Sequence, residues 1–278
     1  MRIDFVTIFP KMFEPLLAEG VIARGVRQGV IDLRVHDLRD YTTDRHRSTD
    51  DEAYGGGPGM VMLAEPVLRC VEAIRAGTLS KQRIPEEPRN SEELRETPRR
   101  NSEELRGTPR NPEEPHLVLT SPQGRRFDQA VAGELLSRNW VVILCGRYEG
   151  FDHRVHEALQ PDEISVGDFV VSGGELPAML MADAIGRLVE GVVGNSTSVE
   201  EDSFFRGLLD YPHYTRPEEL RGMRVPEILL SGHHEKIRRW RREQALRATR
   251  MRRPDLLGNA ELDREAVEIL RAIENESA

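Results

Sequence analysis

The chain opens with an apolar run, RIDFVTIF (Arg2–Phe9), closed by Pro10, which predicts a buried strand. In FEPLLAEGVIARGV, Phe13, Leu16, Leu17 and Val21 recur at helical spacing. VIDLRVHDL alternates Ile31, Leu33 and Val35 against Asp32, Arg34 and His36, the pattern of a half-buried strand. LAEPVLRCVEAIRAG predicts a helix with Pro66 in its first turn and Gly77 closing it. HLVLTSPQG then reads as a strand ending in a turn, and DQAVAGELLSR as a helix with Asp128 as its N-cap. WVVILCGRYEG is a fully buried strand entering glycines, FDHRVHEALQ a helix, and ISVGDFVVSGGELPAM a strand end, a glycine pair and another helix. Beyond the polar stretch GNSTSVEEDSF the chain reads as mainly helical to Ala278. Short strands alternating with helices predict an α/β fold whose parallel sheet is covered on both faces.

The pattern breaks once. RNSEELRETPR (Arg89–Arg99) is followed directly by its near copy RNSEELRGTPR (Arg100–Arg110). Two copies cannot stack into a solenoid, and the recurring prolines would cut a helix. Within Ser80–Pro115 only Ile84, Leu94 and Leu105 are large and apolar, so this segment is expected to be a mobile insertion without chemistry. The expected organisation is a cofactor-binding domain over 1–193 that carries this insertion at 80–115, a flexible linker over 194–207, and a helical domain over 208–278.

Composition narrows the function classes. A net charge of -9 argues against a uniformly basic surface, though it leaves room for a local basic patch. Cys70 and Cys145 show no metal-ligand spacing, which speaks against a structural zinc and fits a reducing compartment. No apolar run approaches the roughly 20 residues that span a bilayer, and the start lacks a signal-peptide pattern. The expectation is a soluble, cytoplasmic protein with no membrane partner.

Ligands of open α/β sheets bind beyond the carboxyl ends of the strands. Three loops fall at such ends: LTSPQG (Leu119–Gly124), CGRYEG (Cys145–Gly150) and VGDFVVSGG (Val166–Gly174). No G-x-G-x-x-G occurs and no glycine precedes a lysine, so the dinucleotide fingerprint and the P-loop both fail. A tight turn accounts for any one of these loops, but three in succession point to a ligand. Glycine lets backbone pass close to a flat ring, where N–H and C=O groups read an adenine edge without side-chain charge. A phosphate-free adenosine suits such loops. S-adenosyl-L-methionine is one, and its sulfonium tolerates the flanking acids Asp168 and Glu175.

Longer blocks carry a resemblance. DRHRSTDDEAYGGGPGM, SPQGRRFDQ, CGRYEGFDHRV, SVGDFVVSGGELPAM, EDSFFRGLLDYPHYTRPEELRGMRVP and LLSGHHEKIRRWR together resemble the bacterial tRNA (guanine-N1)-methyltransferase family of the SPOUT superfamily, over Met1–Ala76 and His116 to about Leu257. The resemblance implies a SPOUT-type domain with a deep trefoil knot, which is an exception to unknotted topology. It also implies a homodimer whose active site lies between subunits, and methylation of the guanosine immediately 3′ of the anticodon, G37. It assigns Leu119, Thr120, Ser121, Gly146, Tyr148, Glu149, Val166, Gly167, Asp168, Phe169, Val170, Val171, Gly173 and Gly174 to the S-adenosylmethionine pocket.

The reaction itself demands a base, because neutral guanine N1 carries a proton, and a partner for the charge that spreads toward O6. The resemblance points to Asp202 as the base and Arg187 as its partner, a cation that either keeps the carboxylate ionised or steadies O6. Without the resemblance, Asp202 reads as a helix cap or a linker acid, and Arg187 as a surface residue at a helix end. The family also implies Mg2+. Glu149 is the candidate ligand, with a buried acid bonded to loop amides as the alternative.

His234–Arg253 holds nine Lys/Arg against two Glu, a basic helix that suits RNA phosphates despite the acidic whole. Lys236, Arg238 and Arg239 are its candidate contacts, and His213 in YPHYTRP is a further one. Trp240, at helical spacing from Ile237, is expected in the core ahead of a base-stacking role. Four glycines in Gly55–Gly59 imply close approach or a tight turn. The resemblance sets Tyr54, Gly55, Gly56, Gly57, Pro58 and Gly59 beside the extruded guanine. A catalytically silent RNA-binding protein and a nucleotide-dependent oxidoreductase are the competing classes; the first needs neither Asp202 nor the glycine loops, and the second lacks its fingerprint.

Overall fold

The computed structural model describes residues 1–78, 114–193, 202–204, 207–258 and 260–276. The chain divides into two compact units, Met1–Gly194 and Asn195–Ala278. The predicted insertion over 80–115 lies outside the described residues apart from its last two, where Pro115 is already buried and Glu114 pairs with Arg75 at 3.0 Å. Of the predicted linker over 194–207, only Asp202–Phe204 and Gly207 are described.

The first unit is built on five parallel strands in the order β2-β1-β6-β5-β7. These are β1 (Arg2–Thr7), β2 (Asp32–Asp37), β5 (His116–Arg126), β6 (Trp140–Leu144) and β7 (Asp162–Ser165). All residues of β6 are buried, as its apolar run predicts, and so are all of β1, including the polar Arg2, Asp4 and Thr7. The period-two alternation of a strand sends Ile3, Phe5, Val141 and Ile143 to one face and Val6, Val142 and Leu144 to the other. The first face packs under α4 (Gln129–Ser137) and α6 (Glu175–Arg187), and the second under α3 (Ala64–Ala76) and α5 (His153–Leu159). The short α1 (Glu14–Ala18) and α2 (Gly20–Arg27) interrupt the helix expected after Pro10, because Gly20 takes a positive φ of 87°. The punctuation of the sequence holds in two places: Asp128 accepts a hydrogen bond from Val131 N at 3.0 Å, and Gly77 closes α3 in the left-handed region.

Two expectations change. LTSPQG does not end its strand, since β5 slips register between Thr120 and Arg125 and resumes its pairing with β7. Gly124 permits this, because a Cβ there would stand 2.3 Å from the Glu163 carbonyl. On β2, His36 is buried although it alternates with the apolar residues. Its Nε2 sits 2.7 Å from Asp4 Oδ1, and Asp4 also accepts from Arg2 Nε at 2.7 Å and Trp140 Nε1 at 2.8 Å.

The second unit holds a hairpin of β8 (Glu219–Leu220) and β9 (Met223–Arg224), then α7 (Glu227–Leu230), α8 (His234–Arg252) and α9 (Arg264–Glu276). Its core is Leu246, Ala266, Ile269 and Ile273 between α8 and α9. Trp240 is not in that core. It is half-buried, with its ring 6.4 Å from that of Tyr214, because the apolar stripe of α8 turns toward α9 only from Ala245 onward.

Burial opposes ionisation of Asp4, but the hydrogen bonds from His36 and Arg2 and the Arg2 charge outweigh it and hold this carboxyl below the usual range. A folded value below the unfolded one stabilises the fold fully above about pH 4, and that contribution drains away as pH falls through the folded value. Asp4→Asn is expected to lower stability at pH 7 by about 3–5 kcal/mol, since Arg2 is left buried without its partner. In urea unfolding followed by Trp140 fluorescence in a Trp240→Phe background, the variant should also show a shallower acid-side decline than the parent. Parallel stability curves below pH 4 would contradict this account.

Candidate active site

The three glycine loops meet. After β6, Gly146 O accepts Gly174 N at 2.8 Å, and Arg147 bridges to Gly173 in antiparallel fashion. Thr120 Oγ1 donates to Leu144 O at 3.2 Å, which ties the β5 bulge to the same corner. After β7, Ser165 Oγ donates to Gly167 O at 3.1 Å and accepts Gly167 N at 3.2 Å, and Gly167 takes φ +147°. Phe169 and Val170 on the tip are exposed. Together the loops enclose a cavity of about 470 Å³. Of the fourteen predicted cofactor residues, Asp168 is exposed outside the cavity wall and every other one lines it.

A second element closes on this corner. β3 (Asp50–Glu52) and β4 (Met60–Met62) form a hairpin carrying YGGGPG. Gly55, Gly56, Gly57 and Gly59 all take positive φ, between 74° and 122°. The first three meet no neighbour where a Cβ would stand, so backbone conformation alone requires them. Gly59 serves a close approach as well, because its Cβ would lie 2.4 Å from Glu149 Oε1. Glu149 N donates to Met60 O at 3.1 Å, and Met62 N to Gly150 O at 2.9 Å, so the hairpin is stitched to the loop after β6. Tyr54 and Pro58 are exposed on the hairpin tip.

Glu149 is exposed, and its carboxylate packs on Gly59. Among the described residues no three His, Cys, Asp or Glu side chains converge as metal ligands. A single exposed carboxylate does not by itself make a Mg2+ site.

Two residues of this corner were not singled out as site residues from the sequence. Arg147 lines the cavity, and its Nε donates to Glu175 Oε2 at 2.8 Å. Glu175, fully buried in the first turn of α6, also accepts from Thr7 Oγ1 at 2.8 Å. The available signal was the acid itself, placed between a glycine pair and an apolar helix.

Arg187 ends α6 and is exposed. At 1.5 Å per residue it stands about 18 Å along the axis from Glu175, away from the cavity end of its own helix. Asp202 is half-buried, and the turn it opens is anchored within the second unit. Asp210 N donates to Ser203 Oγ at 2.9 Å, Phe204 N donates to Leu208 O at 2.7 Å, and Leu209 N donates to the buried Thr249 Oγ1 at 2.9 Å.

Much of the positive charge of the basic helix α8 is already matched: Arg238 and Arg242 pair with Glu265, Arg247 with Glu276 and Arg250 with Glu274, all three acids on α9. Lys236 and Arg239 are exposed, with no ion pair among the described residues. His213 Nε2 lies 2.8 Å from Asp210 Oδ2. With Trp240, Tyr214 and Arg241, His213 also lines a cavity of about 580 Å³ within the second unit.

A profile of the family described as tRNA (Guanine-1)-methyltransferase TrmD matches residues 1–104 and 97–259. A tRNA (guanine-N(1)-)-methyltransferase of Geobacter metallireducens is 48% identical over 263 residues, covering 95% of this chain and 94% of that protein. The protein of the same name from Geobacter sulfurreducens is 46% identical over 278 residues, covering 99% of each. One from Thermotoga petrophila is 48% identical over 263 residues, covering 95% of this chain and 93% of its own length. With its α/β parallel sheet, converging glycine loops and near full-length similarity, the chain belongs to the tRNA (guanine-N1)-methyltransferase family.

Proposed function

We propose that this enzyme transfers the methyl group of S-adenosyl-L-methionine to N1 of the guanosine immediately 3′ of the anticodon, G37, in tRNA. The observation that carries the reading is the convergence of three glycine loops on one cavity, with the YGGGPG hairpin stitched to its rim. A volume of about 470 Å³ suits a small adenosyl ligand. Among the described residues Arg147 is the only Lys or Arg in the wall, and Glu175 pairs with it, so the wall offers no unmatched Lys or Arg to a phosphate or against a sulfonium. The bound ligand supplies an electrophilic methyl group on sulfur.

The chain's own residues do the rest in this proposal. Backbone of the three loops holds the adenosine edge, and the hairpin glycines leave room for a guanine taken out of its stack. The Asp202 carboxylate removes the N1 proton, which frees the lone pair that attacks the methyl carbon as sulfur leaves. Arg187 steadies the carboxylate or the charge on O6. Its position at the far end of α6 favours a site completed by a second copy. Leu176 and Leu180 are exposed on the same helical stripe as Arg187, which suits a subunit interface. The proposal includes a homodimer, a deep trefoil knot formed by the three loops, and a cytoplasmic setting. No helix among the described residues is long and apolar enough to cross a membrane.

Transfer from labelled S-adenosylmethionine is expected to a tRNA transcript with G at position 37 and not to one with A. Calorimetry should detect binding of the cofactor, and its absence from folded protein would end the reading. Asp202→Asn should retain cofactor binding while single-turnover transfer falls about 100-fold to 10,000-fold. Full activity in that variant would remove Asp202 from the base role. Lys236→Ala and Arg239→Ala should each lower the slope of log affinity against log salt for tRNA by about 0.7–0.9. Arg238→Ala, whose guanidinium is held by Glu265, should change the slope less. Equal slopes for all three and the parent would mean that α8 does not face phosphate.

A further inference from the structure

We infer that Glu175 is a positioning residue for cofactor binding, acting through Arg147 to hold the third glycine loop against the second. The inference rests on the cofactor reading above and concerns two residues to which that reading gives no contact with the ligand.

The geometry is specific. Each nitrogen of Arg147's guanidinium has a protein partner: Nε donates to Glu175 Oε2 at 2.8 Å, one terminal nitrogen to Ser172 O at 3.0 Å, the other to Met12 Sδ at 3.1 Å. Its central carbon lies 4.6 Å from the centre of the Phe9 ring. These partners fix the orientation of the guanidinium. What it holds is the Ser172 carbonyl, immediately before Gly173 and Gly174. A Cβ on Gly173 would lie 2.1 Å from Arg147 Nε, so the guanidinium occupies the space that the missing side chain leaves. Gly174 N then reaches Gly146 O at 2.8 Å. The loop that lines the cavity from Val166 to Gly174 is thus fastened at its C-terminal end by the Arg147 side chain together with the backbone bond from Gly174 to Gly146.

Glu175 fixes that side chain in turn. Its carboxylate is fully buried and accepts from both Arg147 and Thr7 Oγ1, while Thr7 Oγ1 also accepts Phe9 N at 2.9 Å. The end of β1, the loop after β6 and the start of α6 are joined through one carboxylate. A fork-shaped donor can bind a carboxylate and a carbonyl at once, which a lysine ammonium on a single stem does not reproduce in the same geometry. The charge pair also keeps Arg147 from presenting an unmatched positive charge to a cationic ligand.

The test separates positioning from plain stability. Glu175→Gln keeps an acceptor for Thr7 but leaves the half-buried Arg147 without a counter-charge. Both the melting temperature and the affinity for S-adenosylmethionine should fall, the affinity by about 10-fold to 100-fold. Arg147→Met with Glu175→Gln removes both charges, so the melting temperature should recover toward that of the parent. The affinity should not recover, because Ser172 O no longer has its donor. In both variants KM for the cofactor should rise while kcat at saturating cofactor and KM for tRNA stay within about threefold. If Glu175→Gln does not fold, Arg147→Lys supplies the same readout, because it keeps the charge pair and gives up the hydrogen bond to Ser172 O. Affinity that returns together with melting temperature in the double variant overturns the inference, as does parental affinity in Arg147→Lys. Absence of binding by the parent protein would instead remove the cofactor reading and this inference with it.

Discussion

Two backbone segments lie closer together in this fold than any side chain would allow, and the cavity depends on that approach. At Gly174 a Cβ would stand 2.8 Å from Cys145 Cα, 2.9 Å from Gly146 N and 2.0 Å from Thr120 Oγ1. Backbone at such range leaves no slack for a neighbour to move. The end of β6, the bulge of β5 and the start of α6 are therefore one rigid corner, and the loop from Val166 onward must bow outward from it. The exposure of Phe169 and Val170 at the tip and the positive φ of Gly167 at its base are consequences of that fixed end.

Charge follows from the same corner. A glycine loop leading into a helix ordinarily offers its amides and the positive end of the helix dipole to an anion. Here the first turn of α6 carries Glu175, fully buried, and its negative charge meets both that dipole and the Arg147 guanidinium. The position where a phosphate would sit is already satisfied from within the protein. That is a physical reason for the absence of lysine after the glycines, and it leaves a cavity better suited to a neutral edge or a cation than to a nucleotide's phosphates.

The strands were legible because their signal is local: WVVIL is a continuous apolar run, and Ile3, Phe5 and Val6 mark RIDFVT, although Arg2, Asp4 and Thr7 are buried in it as well. The caps at Asp128 and Gly77 are local as well. The burial of His36 was not legible, because its partner Asp4 lies 32 residues away on the neighbouring strand, and alternation cannot report a buried polar pair. The course of β5 was hidden because Pro122 and Gly124 signal a turn whether the chain stops or bulges. Arg147 was silent for a third reason: its meaning comes from Glu175 and Ser172, brought to it only by the fold. In α8, the run of basic residues showed the charge but not which side chains are already paired. The acids that claim Arg238, Arg242, Arg247 and Arg250 come from a different helix.

The position of Arg187 shapes the proposed chemistry more than its identity does. A helix of 13 residues is rigid on this scale, so a guanidinium at its last position cannot reach the cavity at its first by a change of rotamer. A cation that serves this cavity from the end of α6 must come from another copy of the helix, or the chemistry must move to where Arg187 stands. Residues 176, 180, 183 and 187 share one stripe, and two of them are exposed leucines. Two such stripes placed antiparallel would bury the leucines and bring each Arg187 to the cavity end of the opposite helix. In the proposed dimer, apolar burial and the assembly of the site would therefore be the same event, and weakening that face should cost activity before it costs the fold of either copy.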